Sequence, residues 1–157
     1  MTKQSAGILV YRVVNQITEV LLVHPGGPFF AKKDIGAWSI PKGEPDGDEE
    51  PLTAARREFY EETGMIIAGA FIPLAPVKLK SGKVVHAWAI EAEIDTDHCE
   101  SNTFQLEWPP KSGKFIDIPE VDKMEYFDMA TAMQKINAGQ VPLLNELSAI
   151  LNKDNQT

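Results

Sequence analysis

Cysteine is nearly absent from this chain: Cys99 stands alone among 157 residues, so no internal disulfide can form. Also missing is any apolar run long enough for a membrane span or for the core of a secretory signal. The two absences together point to a reducing, cytoplasmic setting and away from a membrane partner. Basic residues are few, 15 Lys and Arg against 23 Asp and Glu, for a formal charge of −8. A surface of that sign disfavours broad binding to long nucleic acid, whose phosphates need a basic counterpart. A small phosphorylated ligand remains compatible, because a metal ion and a few lysines outweigh net charge at one site. Internal repeats and low-complexity tracts are lacking too, and the length suits a single domain over 1–157 with a core that is stable without cross-links.

What the chain has in excess is carboxylate, concentrated between Gly43 and Met65 in GEPDGDEEPLTAARREFYEETGM. Pro51 suits the first turn of a helix, Leu52 to Thr63 are mostly good helix formers, and Gly64 is a natural stop, which predicts a helix over Pro51 to Thr63. On it Glu58, Glu61 and Glu62 fall at i, i+3 and i+4 and share a face, while Leu52, Ala55 and Phe59 form the neighbouring apolar stripe. Like charges at these spacings repel by roughly a few tenths of a kcal/mol per pair, and the third carboxylate is hard to ionise beside the other two. A positive partner is needed. Oxygen-only ligands suit a hard cation such as Mg2+ or Mn2+. Arg57, four residues before Glu61, is placed to tie the cluster down through charge-assisted hydrogen bonds.

The spacing of Gly43, Glu49, Arg57-Glu58, Glu61-Glu62 and Gly64-Met65 resembles the Nudix box at every fixed position. That resemblance implies a loop-helix-loop that binds divalent metal and hydrolyses a nucleoside diphosphate linked to another group. It implies Glu58, Glu61 and Glu62 as metal ligands, with the backbone carbonyl of Gly43 adding another, and it makes Glu49 and Arg57 braces between loop and helix. Trp38-Ser39-Ile40-Pro41-Lys42-Gly43 is similar to the W-x-x-P-K-G lead-in of dinucleoside polyphosphate hydrolases, which favours a substrate like diadenosine tetraphosphate. The tyrosine that those enzymes carry beyond the box is replaced here by Ser81, and the proline of many ADP-ribose hydrolases by Lys80. Nucleoside triphosphates and ADP-ribose stay open as substrates. A non-catalytic nucleotide-binding module is the alternative from another class, but degenerate relatives of that kind usually lose a box glutamate or the arginine, and this chain keeps them all.

In chain order, Ser5 to Val14 and Ile17 to His24 read as an antiparallel hairpin broken at Asn15-Gln16, with Val20 to Val23 apolar on both faces and therefore central. PGGPFFAKKDIG is a loop in which Lys32 and Lys33 are candidates for substrate contact. Ala37 to Ile40 reads as a short strand, carrying Trp38 as either core or a base-stacking platform and leading to Lys42, a candidate partner of substrate phosphate. After the helix, Met65 to Ala68 and Phe71 to Leu79 read as strands, and Lys80 to Lys83 as a hairpin turn into Val84 to Ile94. Along that strand the bulk lies on the Val84, His86, Trp88, Ile90 face, and a lone histidine such as His86 is more often packed than catalytic.

Residues 95–120 show turn residues and little periodicity, the pattern of a long loop that covers substrate. Within it Glu120 is the candidate general base supplied from outside the box. Met124 to Phe127 reads as the last strand, Asp128 as the cap of a helix to about Asn137, and Pro142 as the start of another with an apolar stripe through Leu143, Leu144, Leu147, Ile150 and Leu151, before a fraying tail from Asn152. Strands, a helix, more strands and terminal helices make an α+β pattern. The resemblance sharpens it to an α/β/α sandwich with a mixed sheet.

Overall fold

The structure, a computed structural model, describes residues 3–154. β1 (Gln4–Val14) and β2 (Ile17–Pro25) form an antiparallel hairpin whose turn residues, Asn15 and Gln16, both have positive φ. Then follow β3 (Lys42–Gly43), α1 (Pro51–Thr63), β4 (Ile72–Pro73), β5 (Val77–Lys78) and β6 (Val84–Glu91). β7 (Thr103–Glu107), β8 (Phe115–Pro119), β9 (Val121–Asp128) and α2 (Met129–Lys135) come next, and a 3-10 turn at Ala138–Gln140 leads into α3 (Val141–Asp154). The main sheet has the order β4-β6-β1-β2-β9, with β3 added to β1 and β5 to β6. β1 and β6 run parallel and every other pair antiparallel, so the sheet is mixed.

Alternation along the central strands sorts the core into two layers. Ala6, Ile8 and Val10 of β1 and Leu21 and Val23 of β2 pack against Ala54, Ala55 and Phe59 of α1. The intervening Leu9, Tyr11, Val20 and Leu22 face Ala132, Ile136, Leu143, Leu144 and Leu147 on the opposite side. Helices on both faces of one mixed sheet give the expected α/β/α sandwich. Lys42 and Gly43 reach the sheet by crossing β1 at Gly7, and α1 returns over them, which puts the whole acidic stretch at one end of the strands.

Several local expectations are corrected. Trp38 and Ser39 make only isolated bridges, because their backbone bonds go to two elements, Lys135 for Trp38 and Val23 for Ser39. Met65 to Ala68 is not a strand; Met65 N–H bonds Thr63 Oγ1 and Ile67 C=O accepts from Arg56 Nε. Phe71 to Leu79 splits into β4 and β5 around Pro76, which has no N–H for the ladder. β6 stops at Glu91, since Ile94 N–H turns to Tyr126 Oη instead of the sheet. The smaller face of β6, Val85, Ala87 and Ala89, is the better buried one, as it lies under α3, while Val84, His86 and Trp88 are only half-buried. α2 stops at Lys135 instead of Asn137, and α3 stays helical through Asp154, leaving only 155–157 of the expected tail, outside the described residues.

The largest correction is at 95–120, where β7 and β8 form a second, two-stranded sheet. Their register puts Phe104, Leu106, Ile116 and Ile118 on one face. That face leans on the loop after β2, where a Cβ on Gly26 would stand 2.1 Å from Pro119 C=O and one on Gly27 3.0 Å from Ile118 Cγ2.

Phe59 is fully buried between α1 and the sheet. Phe59→Ala is expected to lower the unfolding free energy by about 3–5 kcal/mol in urea denaturation. A loss under about 1 kcal/mol would mean that α1 does not depend on this contact.

Candidate active site

α1 begins after Glu50 with Pro51 in its first turn and ends at Gly64, whose φ of 80° lets its N–H return to Tyr60 C=O at 2.7 Å. Between these ends Arg57 is the hub. Its Nε lies 3.0 Å from Glu49 Oε2, Nη2 lies 3.0 Å from Glu49 Oε1 and 3.1 Å from Glu44 C=O, and Nη1 lies 2.9 Å from Glu58 Oε1 and 3.0 Å from Glu61 Oε2. These bonds hold the Arg57 guanidinium well above its ordinary pKa, Glu49 most of all, and pull the Glu49 carboxyl down. The carboxylate of Glu58 lies flat against Gly43, where a Cβ would stand 2.0 Å from Glu58 Cδ. A side chain at that position would push the Glu58 carboxylate out of its place.

Glu58, Glu62 and Glu120 each offer a carboxylate oxygen, and the three oxygens lie within 4.8 Å of one another. Glu61 is turned towards Arg57 and is not in this set. Glu62 is 8 % exposed and accepts Lys42 N–H at 3.2 Å. Burial, then the charges of Glu58 and Glu120, push its pKa up to about 8, against an ordinary 4.5. Burial also raises Glu58 and Glu120, the latter helped by the charge of Glu61. The Lys42 ammonium is lowered by burial and by nearby Lys83, and is held up in part by Glu62 and Glu58. Three hard oxygen donors that crowd one another and resist ionising fit a divalent cation such as Mg2+.

Glu120 is brought in through backbone. The last carbonyls of α1 are capped by the following loop: Glu100 N–H bonds Thr63 C=O at 3.0 Å and Asn102 N–H bonds Glu61 C=O at 2.7 Å. Asn102 C=O then accepts Glu120 N–H at 2.8 Å, and Ser101 Oγ accepts Val121 N–H at 3.0 Å.

The other sequence candidates are distributed around this cluster. Trp38 is 2 % exposed, packed edge-on against His24 and Phe127, with Nε1 donating to Asp34 Oδ1, so it is core and presents no free face to a base. Lys32 and Lys33 are exposed on the loop before it, where Lys33 Nζ sits 5.5 Å over the Phe30 ring. His86 lines a cavity of about 470 Å3 behind the box loop with Gln4, Glu44 and Glu49, and none of the three converging glutamates lines it. Sequence reasoning missed His24, buried, with Nδ1 2.8 Å from Asp122 Oδ1 and Nε2 2.7 Å from Lys33 C=O. It also missed Gln140, whose Oε1 accepts Ile40 N–H at 3.1 Å beside the lead-in to Lys42. The His24–Asp122 and Gln140–Ile40 bonds span distant parts of the chain, and no local pattern announces them.

A family model described as the NUDIX domain matches residues 1–147. The RNA pyrophosphohydrolase of Bartonella henselae is 36% identical over 67 residues, 40% of this chain and 36% of that protein, so the chain spans about a third of this relative's length. Among solved structures, the NUDIX domain of Shewanella oneidensis NrtR complexed with ADP ribose superposes with a TM-score of 0.66 at 19% identity, over 96% of this chain and 89% of that one. A binary complex of the C. elegans Ap4A hydrolase gives a TM-score of 0.65 at 22% identity, over 95% and 98%. These structural likenesses speak to the fold.

The raised Glu62 carboxyl has a consequence for the metal-free protein. Between about pH 4.5 and pH 8 the folded form holds a proton that the unfolded form has released, so stability is greatest below this window and falls as pH rises through it. The loss should be on the order of a few kcal/mol in chelator, should shrink markedly in Glu62→Gln, and should be reversed by a divalent cation that binds the charged form. Urea denaturation across the window checks this, and an unchanged slope in Glu62→Gln would assign the titration elsewhere.

Proposed function

The chain belongs to the NUDIX family, and from that premise we propose that it is a pyrophosphohydrolase that uses Mg2+ or Mn2+ to cleave a nucleoside diphosphate linked to another group. The observation that carries this reading is the convergence of Glu58, Glu62 and Glu120 within 4.8 Å. Glu58 and Glu62 would hold the cation, with the carbonyl of Gly43 and the carboxylate of Glu61 at its margin. The cation, when bound, neutralises phosphate charge, polarises the phosphoryl group and makes water a better nucleophile. Arg57 keeps Glu58 and Glu61 oriented, and the Lys42 ammonium meets substrate phosphate. Glu120 takes the proton from the attacking water as its oxygen bonds to phosphorus and the bridging P–O bond breaks, a role suited to an exposed carboxylate whose pKa is raised towards neutrality.

A dinucleoside polyphosphate is the favoured substrate, supported by the Trp38 to Gly43 lead-in and by the fold likeness to the Ap4A hydrolase. The partial match to an RNA pyrophosphohydrolase keeps a triphosphorylated RNA end beside it. A cytoplasmic location belongs to the same proposal, consistent with the free thiol of Cys99.

Hydrolysis of diadenosine tetraphosphate, ADP-ribose, nucleoside triphosphates and a triphosphorylated oligonucleotide, with products separated by chromatography, in Mg2+ and in chelator, tests the reading. Metal-dependent turnover of at least one is expected, and none on any would leave a nucleotide-binding module. Glu58→Gln and Glu62→Gln should each lower kcat by about a hundredfold or more, near 3 kcal/mol of transition-state stabilisation, with the fold retained. Near-normal turnover at saturating Mg2+ would show that the cation is held elsewhere. Glu120→Gln should lower kcat and flatten the acidic limb of the pH profile while metal affinity stays nearly constant; an unaltered limb would remove Glu120 as the base.

A further inference from the structure

One edge of this acidic molecule groups four lysines, with the Glu107 carboxylate among them accepting Lys111 N–H and Gly113 N–H at the hairpin tip. Lys32 and Lys33 on the loop after β2, and Lys111 and Lys114 at the tip of the β7-β8 hairpin, are all exposed, and among the described residues none of the four forms an ion pair. Arg12, Arg57, Lys83 and Lys135 are each tied to carboxylates, while Lys78, Lys80 and Lys123 are exposed elsewhere, also without an ion pair among the described residues. Between the two lysine pairs the loop and the hairpin tip touch through Phe29 and Trp108, whose rings meet edge to face at 5.3 Å and 82°. Phe29 is 56% exposed although it sits in contact with another aromatic, and Trp108 is half-buried. In an edge-to-face pair one ring keeps both faces uncovered by its partner. Aromatic faces flanked by unpaired cations form the surface that stacks bases and holds the phosphates attached to them.

This edge is continuous with the glutamates. β8 ends at Pro119, the residue before Glu120, and Gly26 N–H bonds Glu120 C=O at 3.1 Å, so both walls of the aromatic contact start at the catalytic end. Thr103 pairs with Pro119, and five residues of extended chain from Thr103 to Trp108 carry the tip about 17 Å outwards at 3.3–3.4 Å per residue. A ribose and a run of phosphates bridge such a gap, and an isolated phosphate does not.

We propose that Phe29 and Trp108 form a nucleobase-stacking subsite of this site, with Lys32, Lys33, Lys111 and Lys114 neutralising the phosphates that lead from the stacked base to Glu58, Glu62 and Glu120. The proposal rests on the pyrophosphohydrolase reading for where the phosphates lie, while the stacking itself is measurable without turnover. The ligand chemistry is a nucleoside separated from the scissile pyrophosphate by further phosphates, as in a dinucleoside polyphosphate or at the 5′-triphosphorylated end of RNA.

Indole fluorescence reads it directly, since Trp38 is buried in the core and Trp88 lies under α1, away from the edge. The intact protein is mixed rapidly, before turnover, with diadenosine tetraphosphate, with a 5′-triphosphorylated dinucleotide and with inorganic tripolyphosphate, in Mg2+ and in chelator. At least one nucleosidic probe should quench the signal while tripolyphosphate does not. Quenching by only one of the two names the source, and quenching by both assigns the shared chemistry. By calorimetry Trp108→Ala and Phe29→Ala should weaken that probe tenfold or more, and Trp108→Phe should restore the affinity while losing the reporter. Wild-type affinity in Trp108→Ala, or equal quenching by tripolyphosphate, would overturn the subsite. Hydrolysis with an unchanged KM in Trp108→Ala would sink the subsite and leave the reaction standing. Stacking without hydrolysis of any substrate would sink the reaction and leave the subsite.

Discussion

Bringing three carboxylates within 4.8 Å of each other at the end of a sheet is unfavourable without a counter-charge, and the surrounding structure is organised to bear that cost. Arg57 meets part of it, since one planar guanidinium bonds Glu49, Glu58, Glu61 and the Glu44 carbonyl. A lysine in its place would supply one mobile point charge and could not span loop and helix at fixed angles. The remainder stays in Glu62, buried and reluctant to ionise. A divalent cation held by these carboxylates would relieve that cost.

The part of this arrangement that lies within one helix was legible in the sequence. Helical spacing alone put Glu58 and Glu62 on a common face, Pro51 and Gly64 marked the ends now seen, and Asp128 caps α2 through Thr131 N–H as its residue type suggested. Spacing also grouped Glu61 with the other two, yet its side chain goes to Arg57, because i to i+4 geometry serves a salt bridge as well as a shared ligand. Glu120 was visible only as an acid in a plausible place. Its arrival beside Glu62 depends on two strands pairing across a turn, a non-local event. The β7-β8 hairpin was hidden for a related reason: Phe104, Leu106 and Trp108 alternate, but the strands are short, half-exposed and separated by a turn that reads as loop. Trp38 shows the converse, an aromatic whose chemistry suggested stacking and whose burial places it in the core.

Charge on this molecule is segregated more than its net value of −8 suggests. Paired cations brace acidic elements, and four of the exposed lysines without an ion pair among the described residues stand on the loop and hairpin that flank the glutamates.

The backbone relay from α1 through Asn102 to Glu120 uses main-chain groups at every step, and so it is indifferent to most side chains along it. Nearly any residue supplies the same N–H and C=O, whereas a residue inserted or deleted within the paired strands β7 and β8 would shift their register by one and point the carboxylate away. The segment is therefore more tolerant of changed side chains than of a slipped strand register. Residues at the hairpin tip can thus be exchanged while the third glutamate stays in step with the helix.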